Sequence, residues 1–242
     1  MRDYCGWRAK IGLIYMASST VMEPEFYAMA PSGVSIHTAR IHLPEASVEG
    51  LRSMMEGDQV EEAAALLARA PLDVITFGGT SATFLEGLGN DLKVIKRIEG
   101  VSDGVPGSAT STAAVRALRK LDAKKVCFVG PYIEEVTQRG GQFFEQSGFE
   151  VTGAHGMGVR GDRDINAIDL ERTYEFAKAV VEPDAQAVFI SCTGLRTIGA
   201  IEALEKDLGR PVVTAIQATF WDALRLASVG ATVSGFGELF EH

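Results

Sequence analysis

The sequence is poor in the residues that announce a disulfide scaffold, a metal centre, a membrane span or a nucleic-acid surface. Three cysteines (Cys5, Cys127, Cys192) and four histidines (His37, His42, His155, His242) are scattered over 242 residues. No cysteine pair has CxxC spacing and the cysteine count is odd, so neither a disulfide framework nor a zinc pattern is expected. No cofactor and no metal are expected, and a reducing cytoplasm is the expected home. No apolar run approaches the ~18–20 residues of a membrane span. The stretch Met1 to Arg8 has no apolar core, so no signal peptide is expected. Basic residues are outnumbered, 23 Lys and Arg against 32 Asp and Glu, for a formal net charge of −9. That balance argues against a nucleic-acid partner and against an anionic membrane surface. It does not exclude a small anionic substrate, because the local field of a site can oppose the net charge.

What is present is an ordinary globular composition. Hydrophobic residues make up 46% and charged residues 23%, which excludes disorder. The length suits one large domain or two small ones of about 100–120 residues. Short β-rich runs at Lys10–Met16, Val34–Ile41, Asp73–Phe77, Lys125–Val129, Ala187–Ser191 and Pro211–Ala215 read as buried parallel strands. Between them, helical periodicity covers Val60–Ala70, Ser111–Leu121, Ile133–Ser147, Leu170–Val181, Thr197–Leu208 and Phe220–Ala227. This alternation predicts an α/β fold with parallel sheet. The two halves also echo each other. Asp73–Phe77 runs into Gly78-Gly79-Thr80-Ser81, and Ala187–Ser191 runs into Cys192-Thr193-Gly194. Each is followed by a Gly-x-Pro step, Gly104-Val105-Pro106 and Gly209-Arg210-Pro211, and then by a helix expected near Ser111 and near Thr219. The echo predicts two similar lobes with a cleft between them, and ligands in open parallel sheets sit beyond the carboxyl ends of the strands.

Several residues fall at such ends. Cys192 follows a strand and precedes a turn and helix, where a thiol is a proton donor or a nucleophile according to its pKa; a buried structural cysteine is the alternative. Cys127, in mid-strand, reads as structural. Gly79, Thr80 and Ser81 form a strand-to-helix turn able to hold a carboxylate, or simply an N-cap. Ser18 and Ser19 lie in a hydroxyl-rich loop after the first strand. Tyr132 brings a phenol to the same rim, as a donor to an anion or as a packing residue. Arg40, His42 and Arg196 read as carboxylate partners or as surface charges. Glu134-Glu135 and Asp162/Asp164 read as solvated faces.

Taken in order, these residues resemble the aspartate/glutamate racemase superfamily, which includes maleate cis-trans isomerases and arylmalonate decarboxylases. Ser18-Ser19-Thr20-Val21-Met22-Glu23-Pro24-Glu25 is similar to the opening loop of maleate isomerases, with Ser19 where that family usually carries Asn. Gly79-Thr80-Ser81 followed by Phe84 and Gly87, Tyr132-Ile133 followed by Val136, Phe220-Trp221-Asp222-Ala223 and Gly235-Phe236-Gly237 resemble arylmalonate decarboxylase. The resemblance covers nearly the whole chain. It implies a single unit over 1–242 with two pseudo-symmetric lobes, the first about 10–115 plus 216–242 and the second about 116–215. Racemases and isomerases of this superfamily use two cysteines, one per lobe. Cys192 matches the second, and Gly79 stands where the first would be, as in arylmalonate decarboxylase. Two-sided proton exchange needs two acid/base groups, and here one is missing.

The implied reaction is a cofactor-independent decarboxylation of a 2-substituted malonate or related dicarboxylic acid. Thr80, Ser81, Tyr132 and backbone N–H groups around Cys192 and Thr193 would stabilise the enediolate, and Cys192 would protonate it. The charged loop Arg40-Ile41-His42-Leu43-Pro44 and the stretch Gly161-Asp162-Arg163-Asp164 make a smaller, more polar dicarboxylate at least as good an expectation as an aryl one, and the substrate stays open among aryl, alkyl and polar acids. An isomerase or racemase acting on a dicarboxylate or amino-acid derivative is the second expectation, and a non-catalytic carboxylate-binding protein the third. The expected partner is a small carboxylic acid, and the oligomeric state stays open.

Overall fold

The structure, a computed structural model, describes residues 4–43 and 45–242. The first sheet holds β1 (Ala9–Met16), β2 (Val34–Ile41), β3 (Val74–Gly78) and β4 (Gly107–Ala109) in the order β2-β1-β3-β4. The second holds β5 (Lys125–Gly130), β6 (Glu150–Gly156), β7 (Ala187–Ile190) and β8 (Val212–Thr214) in the order β6-β5-β7-β8. All pairings are parallel, and the two orders are the same pattern repeated. The helices are α1 (Met22–Met29), α2 (Val48–Glu56), α3 (Gln59–Leu67), α4 (Thr80–Phe84), α5 (Asn90–Glu99), α6 (Thr110–Lys120), α7 (Glu134–Gln146), α8 (Asp162–Ala167), α9 (Leu170–Val180), α10 (Ile201–Leu208) and α11 (Ala215–Leu226). No helix among the described residues is long and apolar enough to cross a membrane.

The fold is the two-lobed α/β arrangement that the alternation and the echo predict. Runs such as Val74–Gly78 and Ala187–Ile190 are buried throughout, as strands covered on both faces must be. The two Gly-x-Pro steps lead into β4 and β8, and Gly104 and Gly209 open them with φ of 83° and 66°, left-handed backbone that favours glycine.

The structure corrects the reading at several elements: α2 and α5 form where no helix is expected, and β2, expected as a buried strand, is a largely half-exposed edge strand. β4 and β6 are strands that the periodicity does not reveal: β4 has three residues without a branched side chain, and β6 is a half-exposed edge strand carrying two glycines. The last helix begins at Ala215 rather than near Thr219 or Phe220, because Thr214 and Gln217 form a capping box that satisfies its first turn. The helix expected over Thr197–Leu208 starts as a 3-10 turn, Ile198–Ala200.

The lobes are stitched at their centre. α11 is buried from Ala215 to Leu224 and packs against α6, its counterpart in the repeat. α11 also packs on β3 and β4 of the first sheet, while α6 reaches β8 of the second. Thr219 donates to Thr110 (3.1 Å), and the buried Asp222 carboxylate accepts from Arg116 (2.9 Å) and Ser108 (2.5 Å). Phe84 of the first lobe packs edge-on against Phe128 and Tyr132 of the second, ring centroids 6.0 Å apart. Such contacts hold the strand ends of both sheets over a common space.

Candidate active site

Four strands discharge into that space. β1 leads to the loop carrying Ser18 and Ser19, β3 to Gly79 and the start of α4, β5 to Tyr132, and β7 to Cys192, Thr193 and Gly194. The lining of the pocket between them includes the polar residues Ser19, Thr80, Ser81, Tyr132, Asp162 and Cys192 and the apolar residues Met16, Leu43, Ala46 and Ile165. Gly79, Thr193 and Gly194 complete it. The cleft spans about 370 Å³ to its mouth, but its free interior is only about 20 Å³, room for a single water. A diacid therefore fits only when the lining side chains rearrange. A larger hollow of about 850 Å³ lies elsewhere, around Trp7 and Tyr27. It lacks the convergent polar groups of a reactive site, and size alone does not choose between them.

Cys192 is buried and has φ of 94°, a conformation strained for any side chain and concentrated at functional sites. Its Sγ accepts from the Gly194 N–H at 3.4 Å. Burial pushes the thiol up to about 12, with the Asp162 carboxylate acting in the same direction and the N–H groups of Gly194 and Leu195 and the Tyr132 hydroxyl opposing. The sulfur is thus a protonated thiol at neutral pH. Tyr132 is also buried, its hydroxyl 3.1 Å from Ser191 Oγ and within hydrogen-bonding reach of Cys192 and Ser81, and burial raises its pKa well above the ordinary value.

Thr80 supplies the most telling atom. It is 2% exposed, and its Oγ1 has no hydrogen-bond partner. An unsatisfied buried hydroxyl costs about 1–3 kcal/mol, and Thr80 is one of the residues that line the pocket. The turn is held by its own carbonyl, which accepts from Thr83 (2.8 Å) and Ser111 (3.2 Å).

The other expected residues divide. Ser19 is buried in the lining, its Oγ accepting from Val21 N–H at 3.3 Å. Ser18 is not in the lining; its hydroxyl donates to Asp162. The Thr193 hydroxyl donates to the Gly78 carbonyl at 2.8 Å, tying the two lobes together, so its side chain is already engaged. Arg40 donates to the carbonyls of Ala17 and Ser19 and pairs with Glu23, acting as a clasp on the Ser18–Ser19 loop. His42 and Arg196 are exposed and do not line the pocket.

Known proteins resemble the chain over nearly its whole length. The family model described as arylmalonate decarboxylase matches residues 11–240. The arylmalonate decarboxylase of Bordetella bronchiseptica is 31% identical over 196 residues, 80% of each chain. The chain belongs to the arylmalonate decarboxylase family. Maleate isomerase of Geobacillus stearothermophilus is also similar, 26% identical over 243 residues, covering 95% of this chain and 96% of that one. Among solved structures, a liganded arylmalonate decarboxylase with one glycine changed to cysteine and one cysteine to serine matches with a TM-score of 0.88 at 28% identity, covering 96% of this chain and 99% of the other. A maleate isomerase of Pseudomonas putida crystallised with maleate matches with a TM-score of 0.91 at 24% identity, covering 96% and 97%, a likeness of fold.

Within this arylmalonate decarboxylase family frame, Gly79 is a position with no space to spare. Its φ of −137° suits any residue, but a Cβ there would lie 2.6 Å from Cε1 of the buried Phe77 ring. Two residues escape the sequence reading. Asp162 lines the pocket and is not only a solvated face; it arrives on α8, which no strand end announces. Glu25 of α1 accepts from the N–H (2.9 Å) and hydroxyl (3.2 Å) of Thr197, on the loop that follows Cys192, and burial lifts its carboxyl to about 7. The Glu-Pro-Glu helix start contains it, but nothing local in the sequence points to Thr197.

Proposed function

We propose that the chain decarboxylates a small 2-substituted malonate without help from a cofactor, and that Cys192 delivers a proton to one face of the product. The observation that carries this reading is a buried thiol, Cys192, lining the same pocket as Thr80, whose buried hydroxyl has no partner, with glycine rather than a second thiol at residue 79.

The chemistry follows from the lining. One carboxylate of the substrate is held by the hydroxyls of Thr80 and Ser81 and by the phenol of Tyr132. The other lies against Met16, Leu43, Ala46 and Ile165, where loss of charge is favoured. The bond from that carboxylate to the α-carbon breaks and CO₂ leaves. The electron pair stays on the α-carbon and spreads into the retained carboxylate as an enediolate. Preorganised donors stabilise that charge, each contributing about 2.7–4 kcal/mol. The Cys192 thiol then gives its proton to the α-carbon, and the thiolate takes one from water as the product leaves. The high pKa of the buried thiol makes the thiolate a poor resting state but the thiol a ready donor to a strongly basic carbon. Asp162 repels a bare anion on its side, so the substituent there carries a hydrogen-bond donor, a hydroxyl or an ammonium group.

The test is CO₂ release from methyl-, phenyl-, hydroxy- and aminomalonate by the wild type and by Cys192→Ala. Turnover of the polar malonates that disappears in the variant supports the proposal. Binding without turnover across the panel points instead to a carboxylate-binding protein. A second reading, dicarboxylate isomerisation, draws on the relatives called maleate isomerases, which align with 95% of this chain. Fumarate formed from maleate, with no CO₂ from any malonate, would establish it.

A further inference from the structure

A second cluster of reactive side chains lies in the second lobe, outside the carboxylate pocket. Cys127 of β5, His155 of β6 and Glu182, just past α9, bring Sγ, a ring nitrogen and a carboxylate oxygen within 4.8 Å of one another. His155 Nε2 is 2.6 Å from Glu182 Oε1. Cys127 is fully buried, while His155 and Glu182 are partly open to solvent, with side chains 33% and 27% exposed. None of the three lines the carboxylate pocket.

Two irregularities of the backbone create this arrangement. The β5–β6 register shifts between Val126 and Cys127: Val126 pairs with Val151, but Cys127 pairs with Gly153. In an unbroken ladder Cys127 would pair with Thr152, and His155 would fall on the opposite face of the sheet. The bulge turns it onto the face of Cys127, since residues two apart share a face. Gly153 then leaves the room between them. A Cβ at that position would lie 1.9 Å from Glu182 Oε1 and 2.6 Å from His155 Nε2. The loop that carries Glu182 is held by Arg210, whose Nη1 donates to the carbonyls of Glu182 (2.9 Å) and Ala185 (2.5 Å). The second Glu182 oxygen accepts from Thr152 at 3.3 Å.

We propose that Cys127, His155 and Glu182 form a zinc-binding site. Sulfur, imidazole nitrogen and carboxylate oxygen are the donors zinc accepts, and this mixed set disfavours magnesium and calcium, which want oxygen alone. Bonds of about 2.0–2.3 Å in tetrahedral geometry separate ligand atoms by roughly 3.3–3.7 Å. The cluster needs only to part His155 from Glu182 and draw Cys127 inward. Three protein ligands leave the fourth position to water. The ion would fasten the edge strand β6 to β5 and to the end of α9, stiffening the outer side of the second lobe.

The test uses the full chain with zinc alone, by competition against a chromophoric chelator, and cobalt(II) as a spectroscopic substitute. The wild type should bind one equivalent and show a sulfur-to-cobalt charge-transfer band in the near ultraviolet. Cys127→Ser should lose the band. His155→Gln and Glu182→Gln should weaken binding by at least about 10–100-fold, since even groups that only support a ligand have effects of that size. Gly153→Ala should weaken it by crowding, while Cys5→Ser and Cys192→Ala should keep both band and stoichiometry. Zinc should raise the melting temperature of the wild type but not of His155→Gln. Should Cys127→Ser fail to fold, the half-exposed His155→Gln, checked by circular dichroism, decides. A band that survives in Cys127→Ser, a loss in Cys192→Ala, or no stoichiometric uptake by the wild type would overturn the proposal.

Discussion

At the end of β3 the first lobe places Gly79, at an ordinary φ of −137°, followed by Thr80 and Ser81. At the end of β7 the second lobe places Cys192 at φ of 94°, with Ser191 before it and Thr193 after it. The sheets that carry these turns have the same strand order, so the positions correspond by topology. One turn carries glycine with an unpartnered buried hydroxyl beside it; the other carries a thiol on strained backbone. A repeated scaffold offers two equivalent stations around a pocket, and under the proposed function one would hold an anion and the other deliver a proton. The strain sits at the station proposed to perform the chemistry.

The comparison is broken most severely by removing the thiol. Cys192→Ala should lower the decarboxylation rate by about 10²–10⁴-fold, the usual contribution of a positioned proton donor, with the fold retained. For the wild type, a thiol lifted to about 12 by burial stays in its acid form, so its titration should leave the rate flat from roughly pH 7 to 10. A nucleophilic thiolate predicts the reverse, a rate that climbs as pH rises, and a climbing profile would favour the isomerase reading. The opposite station is probed by Thr80→Val, nearly isosteric without the hydroxyl. Its kcat should fall by about 10²–10³-fold. Chemical denaturation should show stability unchanged or increased, because an unsatisfied buried oxygen has been removed. A loss of stability without a loss of rate would make Thr80 a packing residue.

Much of the fold and part of the site were legible for one reason: strands buried on both faces announce themselves, and the residues just beyond them inherit a position. Gly79, Thr80, Ser81, Tyr132 and Cys192 all follow such strands, and all line the pocket. β6 was not legible because an edge strand with a bulge and two glycines has neither alternation nor an apolar run. Asp162 arrives on a short helix whose charged sequence resembles any solvated surface. The Cys127, His155 and Glu182 cluster is invisible for a related reason: its members come from three separate elements, with none of the local spacing by which metal ligands are recognised. The hydroxyl of Thr193 shows the opposite limit. Its place at a strand end was readable, but its bond to the Gly78 carbonyl depends on how the lobes meet.

Placing a second thiol at residue 79 is a more graded test. Gly79→Cys puts a Cβ against the Phe77 ring, so the variant should lose about 1–3 kcal/mol of stability through overpacking. Pairing it with Phe77→Leu should recover part of that loss. In the folded double variant, solvent deuterium should enter the α-carbon from both faces and the product should lose enantiomeric purity. Retained purity in a folded, active enzyme would mean that residue 79 does not face the reacting carbon.

The smallest expected effect compares the backbones of the two turns. At φ of 94° an alanine is strained where glycine is not, so Cys192→Gly should be more stable than Cys192→Ala by about 1 kcal/mol in urea denaturation, although both lack the thiol. At residue 79 the sign reverses. The backbone there accepts alanine, but the Phe77 ring does not, so Gly79→Ala should be less stable than the wild-type glycine. Glycine is thus favoured at both stations for different reasons, steric at one and conformational at the other. An alanine as stable as glycine at residue 192 would show that the second lobe holds its thiol without strain, and the asymmetry between the turns would then be one of side chains alone.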